Sequence, residues 1–210
     1  MPSLTVEEAS GAFLRAMRNV PPVRPGICRI CRTFIDPGFD TCWPCGAQPN
    51  WLDVVVPITY SEHLGQMHTA LRGYKDGPPE VQNFAMPRLA AILWRFLEQH
   101  EVCVARAVGT RRFDLVTTVP SSTPELDKKR QNLRIMVGWC EPINQRYVPI
   151  LNATGEAESG RSYDERRYVA TRPLDAKTVL VIDDTWTAGG HAHLPPTHSE
   201  APVREPSPSL

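Results

Sequence analysis

Apolar positions recur with two different periods along this chain, and their alternation divides it into helices and strands. Val6, Ala9, Phe13 and Met17 share one face of a helix predicted over residues 5–19, with Thr5 and Glu8 spaced as a capping box. The stretch 20–26 (VPPVRPG) is a rigid linker that ends it. Residues 53–60 (DVVVPITY) read as a strand, with Pro57 confining it to a sheet edge. Leu64, Met67 and Leu71 are in register for a short helix over 62–72, and 73–79 reads as a turn. Val81, Phe84, Ala85, Leu89, Ile92, Leu93, Phe96 and Leu97 form a continuous stripe for a helix over 80–100, which Pro87 should kink or start.

Shorter signals follow. Residues 113–120 (FDLVTTVP) read as a buried strand that ends in a loop, 125–140 as a helix, and 147–151 as another short strand. Residues 152–173 are polar and arginine-rich, the composition of a mobile loop. Residues 178–184 (TVLVIDD) are the strongest strand signal. Strands alternating with helical patterns predict an α/β fold with a parallel sheet flanked by helices. From Leu194 onward five of 17 residues are proline and few are large and apolar, so 194–210 is expected to be disordered.

Composition narrows the classes. The chain has 210 residues, enough for one domain and a small appendage, and 41% of them are hydrophobic, which can form a core. Lys plus Arg and Asp plus Glu both total 23, which excludes a generally basic nucleic-acid coat and an acidic tail protein. No run approaches the length of a membrane span, and Glu7 and Glu8 interrupt any leader-like stretch, so a cytoplasmic protein is expected.

Four of the six cysteines form two C-x-x-C pairs, Cys28/Cys31 and Cys42/Cys45, ten residues apart. Each turn can aim two sulfurs at one ion, and two turns complete a closed tetrahedron, the arrangement of a structural zinc site. Residues 27–50 hold little apolar material and need such a staple to fold. The alternative is two turns with free thiols. Cys103 and Cys140 have no partner in sequence and read as small buried hydrophobes.

The second motif begins where the strand at 179–182 delivers Asp183 and Asp184 to its carboxyl end, the end at which α/β sheets bind ligands. Thr185, Trp186, Thr187, Ala188, Gly189 and Gly190 follow. A loop of this kind can turn N–H groups and hydroxyls onto a phosphate, while carboxylates accept from sugar hydroxyls. The set suits a ligand with both ribose and phosphate. The plainer reading is a strand ending in a turn, with the aspartates capping a helix.

Val179 to Gly190 resembles the phosphoribosyl pyrophosphate (PRPP) loop of type I phosphoribosyltransferases: an apolar strand, two acids, two variable residues, Thr, a small residue and Gly. With the cysteine module in front, the chain resembles the competence protein F-like (ComF-like, amidophosphoribosyltransferase-like) members. Residues 71–75 (LRGYK), 113–120 and 164–167 (DERR) are similar to further stretches of that family, and the resemblance covers about residues 25–192. It implies a phosphoribosyltransferase-like domain over 51–193, behind a helix and linker (1–26) and a zinc ribbon (27–50). It implies that Asp183 and Asp184 hold the ribose hydroxyls, that Thr185 to Gly190 hold the 5-phosphate, and that Mg²⁺ comes with the pyrophosphate. Phosphoribosyl would pass to an unassigned acceptor with loss of pyrophosphate. Cations for the leaving group would come from Lys128, Lys129, Arg130, Arg161, Arg166 and Arg167; residues 105–172 carry 12 Lys plus Arg against 8 Asp plus Glu.

Two features depart from the pattern. His191 stands where the family loop has Thr or Ser, and the prolines from Pro195 preclude the long helix, strand and helix that should follow. The chain therefore reads as a C-terminally shortened or frameshifted member with an incomplete sheet, expected to bind PRPP weakly or not at all and to self-associate. Two alternatives stay open: a non-catalytic nucleic-acid- or protein-binding member, and an inactive truncated product. His191, His193 and His198 sit in proline-rich sequence and carry no metal assignment.

Overall fold

The structure, a computed structural model, describes residues 4–47, 52–157, 164–174 and 177–186. The tail 194–210, the three histidines near it, and Arg161 lie outside the described residues.

The first helix, α1 (Val6–Gly11), starts where its capping box places it: the Glu8 N–H donates to the Thr5 hydroxyl at 3.2 Å and the Thr5 N–H to Glu8 Oε2 at 2.9 Å. It is shorter than expected. After Gly11 the chain tightens into a 3₁₀ turn, Leu14–Ala16, that drives Phe13 into the core. Within the cysteine segment lies one short helix, α2 (Trp43–Gly46).

Helix α3 runs Gln66–Asp76, displaced toward the carboxyl side of the expected span. Leu64, placed in the helical register by pattern alone, instead adopts φ 60° and is 78% exposed, ahead of the Gly65 N-cap. A left-handed backbone costs a leucine about 1 kcal/mol that asparagine largely escapes. Leu64→Asn is therefore expected to stabilise the chain by roughly 0.5 to 1 kcal/mol in urea titration; a loss of stability would contradict this conformation.

Helix α4 (Pro79–Ala107) is the scaffold, 29 residues and about 43 Å long. It starts at Pro79 rather than at Pro87, which lies inside it, and runs past residue 100 to a left-handed Gly109, where the Thr110 N–H donates back to the Ala105 carbonyl. It packs against α3 by close approach: a Cβ on Gly73 would lie 2.6 Å from Val81 Cγ1. Phe13, Met67, Tyr74, Ala85, Met86 and Met136 fill the core between α1, α3, α4 and the later α6.

Strand β1 (Leu115–Thr118) pairs in parallel with β4 (Val179–Ile182), Leu115 opposite Val179 through Thr118 opposite Ile182. Between them the chain forms α5 (Pro124–Lys129), α6 (Asn132–Trp139), α7 (Glu141–Asn144) and an antiparallel hairpin of β2 (Leu151–Ala153) and β3 (Tyr168–Ala170). Residues 125–140 thus make two helices. Arg130 breaks them at φ −108°, ψ 60° while its guanidinium grips Asp76 at 2.8 and 2.9 Å. The strand expected at 147–151 begins later, although Tyr147 bridges Val116 on the free side of β1. The stretch read as a mobile loop contains the β2–β3 hairpin, with Arg167 and Tyr168 buried; residues 158–163 lie outside the described ones. Residues 53–60 join no sheet among the described residues. Pro57 has no N–H to give, and Thr59 bonds the Arg18 backbone instead.

The result is a mixed α/β chain with a small parallel sheet and flanking helices. Alternate residues of β4 face opposite sides: Leu180 and Ile182 meet the α4–α6–α7 layer, while Val181 meets Val119 and Tyr168. Among the described residues no helix is long and apolar enough to cross a membrane.

Candidate functional site

The four paired cysteines converge. Their Sγ atoms all lie within 4.8 Å of one another, with Cys31 Sγ 3.7 Å from Cys42 Sγ, so one metal ion fits among them. Backbone geometry builds the first knuckle: Cys28 N–H donates to the Thr33 carbonyl at 2.8 Å, Arg32 N–H returns to the Cys28 carbonyl at 3.0 Å, and Arg32 itself takes φ 65° to close the turn. The second pair rides on α2. Burial pushes the Cys28 thiol up, but N–H groups of Cys42, Cys31 and Ile30 outweigh it and bring it down to about 7. Burial pushes Cys31 up to about 11 and Cys45 further still. Cys28, Cys31 and Cys45 thus release protons unequally, and a cation among the four sulfurs resolves the repulsion of their thiolates.

The two aspartates stand at the carboxyl ends of the parallel pair, beside the turn after β1. Asp184 is deep: its side chain is 7% exposed, the Lys75 ammonium lies 2.7 Å from Oδ2 and 2.9 Å from Oδ1, and the Tyr74 hydroxyl donates to the same carboxylate. Burial disfavours both charges of this pair. It pushes Asp184 up to about 6, against hydrogen bonds from Thr185 and the Asp184 backbone, and Lys75 below the usual ammonium range, against the pull of Asp183 and Asp76. Asp183 opens to solvent at the surface, and its Oδ1 accepts the Asp184 N–H at 2.8 Å. The protein crowding its inner side still raises its carboxyl, against hydrogen bonds from the Asp184 and Thr185 backbone and the pull of Lys75. A cleft of ≈ 1180 Å³ reaches these residues, walled by apolar side chains such as Val54, Val56, Leu93 and Phe96.

Of the phosphate-loop residues, Thr185 is exposed and Trp186 half-buried. Thr187, Ala188, Gly189 and Gly190 lie outside the described residues. Among the described residues, the cations expected to serve a leaving group are not gathered at the aspartates. Lys128 and Lys129 are exposed on α5, Arg130 is paired to Asp76, and Arg166 binds Asp164 at 2.9 and 3.0 Å in the turn before β3. Arg167 is buried beside Tyr168. Among the described residues, the cation that touches Asp184 is Lys75, beside Tyr74. The sequence contained them in the LRGYK stretch, but nothing in its helical spacing distinguished a site lysine from a solvated one. Their role rests on a contact across 109 residues.

No family model matches this chain, and no curated protein or solved structure matches it.

Proposed function

We propose that the chain is a phosphoribosyltransferase-like protein that binds PRPP at Asp183 and Asp184. The observation that carries this reading is the pair of adjacent carboxylates at the carboxyl end of a parallel strand, with a lysine ammonium in contact with one of them. In this reading the fold is that of a type I phosphoribosyltransferase-like sheet. Asp183, open to solvent, accepts from a ribose hydroxyl first. A second hydroxyl replaces Tyr74 or Lys75 at Asp184, and Lys75 then faces the anionic ligand. The loop from Thr185 receives the 5-phosphate through its N–H groups. The acceptor's lone pair bonds to the anomeric carbon as the carbon–oxygen bond breaks, and pyrophosphate leaves with that electron pair. Mg²⁺ bound to the pyrophosphate supplies charge neutralisation.

The ribbon, in the same reading, holds a structural Zn²⁺ on Cys28, Cys31, Cys42 and Cys45. A Zn–S bond of about 2.3 Å places tetrahedral sulfurs about 3.8 Å apart, and the 3.7 Å between Cys31 and Cys42 agrees. The nucleic-acid alternative loses ground because Arg130, Arg134, Arg146 and Arg166 are each paired to a carboxylate within the chain.

Calorimetric titration of Mg²⁺·PRPP into the metal-loaded protein tests the reading. Saturable binding is expected, weak because the sheet reads as incomplete, and weakened about a hundredfold further by Asp183→Asn, equivalent to about 2.7 kcal/mol. Absence of binding to the metal-loaded wild type would overturn it.

A further inference from the structure

Trp186 belongs to two packing clusters at once. On one side it packs against the buried Cys28, Cys31 and Cys45, together with Ile30 and Ile35. On the other it packs against Val119, at the end of β1, and Tyr168 of β3. One indole therefore joins the cysteine ribbon to the carboxyl end of the parallel pair, two residues beyond Asp184. The ribbon is itself anchored to the body, because the Tyr60 hydroxyl donates to the Arg32 carbonyl and the Phe34 and Tyr60 rings lie 5.8 Å apart. It is a fixed wall for the loop.

We propose that Trp186 is a positioning residue that couples metal loading of the ribbon to the order of the Asp183–Trp186 segment, so that the metal and PRPP bind cooperatively. The ligand half of this statement rests on the phosphosugar reading above; the metal half does not.

The segment after β4 is held at Asp184 by Tyr74 and Lys75, and at Trp186 by the ribbon on one side and by Val119 and Tyr168 on the other. Consecutive Cα atoms are about 3.8 Å apart, so a free Trp186 leaves Asp183 and Asp184 with only the first anchor. The ribbon's own core consists of the four cysteines and two isoleucines, so loss of the ion dissolves one of the two surfaces on which the indole rests and leaves it only Val119 and Tyr168 from those two clusters. A metal that favours the ordered loop must in turn be held more tightly when a ligand orders that loop, because coupling between two sites is reciprocal.

Hydrogen exchange of peptides spanning 179–186, without PRPP, tests the metal half. Stripping the wild type with a strong chelator is expected to speed exchange there at least about fivefold. Metal-loaded Trp186→Ala should show the same acceleration while still holding one ion per chain, with unchanged exchange across α4; Trp186→Phe should lie nearer to wild type. Wild-type protection in metal-loaded Trp186→Ala, or no response of the wild type to stripping, overturns the coupling. A ligand arm adds a readout that simple loosening does not move. The Kd for Mg²⁺·PRPP should rise at least about fivefold on stripping in the wild type and be independent of metal in Trp186→Ala. If the metal-loaded wild type binds no PRPP, the phosphosugar reading falls and the exchange result alone decides the coupling. If PRPP binds with equal affinity with and without metal, the cooperativity falls and the phosphosugar reading stands.

Discussion

Cys28→Ser is expected to abolish metal binding and unfold the ribbon. Cys28 is completely buried and is one of the four converging sulfurs, and a serine hydroxyl does not replace a thiolate toward a soft ion. The segment has little else to hold it. Phe34, Phe39 and Trp43 are 69%, 66% and 84% exposed, so its large apolar side chains point away from a core made of the cysteines, Ile30 and Ile35. A closed four-thiolate site contributes on the order of 10 kcal/mol of binding, which here is folding energy. The wild type should carry one ion per chain after dialysis and the variant about none, by metal analysis. Limited proteolysis should cut the variant between residues 27 and 46. The helical circular-dichroism signal should persist, because the Phe13–Tyr74–Met86 core does not include the ribbon. Full metal content and unchanged protease resistance in the variant would sink the assignment.

The second large effect belongs to Arg146, which no sequence pattern marks. Its guanidinium makes a double contact with Glu101 of α4, at 2.6 and 2.9 Å, and also donates to the carbonyls of Phe113 at 3.0 Å and Pro142 at 2.8 Å. Both partners are nearly out of solvent, at 11% and 13% side-chain exposure. One side chain thus fastens the scaffold helix to the start of β1 and to α7. Arg146→Met strands a buried carboxylate and two carbonyls, and should destabilise the fold by about 3 to 5 kcal/mol. That is a large share of the roughly 5 to 15 kcal/mol that holds a domain folded. Arg146→Met with Glu101→Met should recover much of the loss, since the uncompensated charge is then gone. The exposed pair Arg18–Glu62, 45% and 61% exposed, sets the contrast: Arg18→Met should change stability by under about 1 kcal/mol. Urea titrations of the four proteins decide the matter. A shift for Arg146→Met no larger than that for Arg18→Met refutes the account.

What the sequence disclosed was local. The capping box of Thr5 and Glu8, the convergence of the two C-x-x-C turns and the apolar run of β4 each depend on residues within a few positions of one another. The errors share a cause as well. Leu64 fits a helical register but lies outside α3, and residues 53–60 have strand composition but their available donors and acceptors go elsewhere. In both cases hydrogen bonding that periodicity does not encode outweighed the local preference: the Gly65 N–H closes a turn onto the Glu62 carbonyl ahead of α3, and Thr59 bonds the Arg18 backbone. The same holds at the candidate site. Asp183 and Asp184 were legible because a strand and a turn announce them, whereas Lys75 and Tyr74 were legible only as part of a resemblance. The contact that makes them site residues spans more than a hundred positions, and periodicity carries no information on that scale.

The separation between the ribbon and its indole has a consequence for how the chain is made. Cys45 leaves the ribosome 141 residues before Trp186 (186 − 45). At about 5 to 20 residues per second that is roughly 7 to 28 s. Closing a two-knuckle turn around an ion is a short-range event and needs nothing downstream. The parallel strand that carries Trp186 must instead close a loop of 64 residues onto β1 (179 − 115), which is slow for entropic reasons. During synthesis the ribbon is therefore finished first and waits as a preformed mould. If the ribbon needs its ion to fold, metal scarcity at that stage leaves β4 without the surface that Trp186 meets, and does so before the segment after β4 is made.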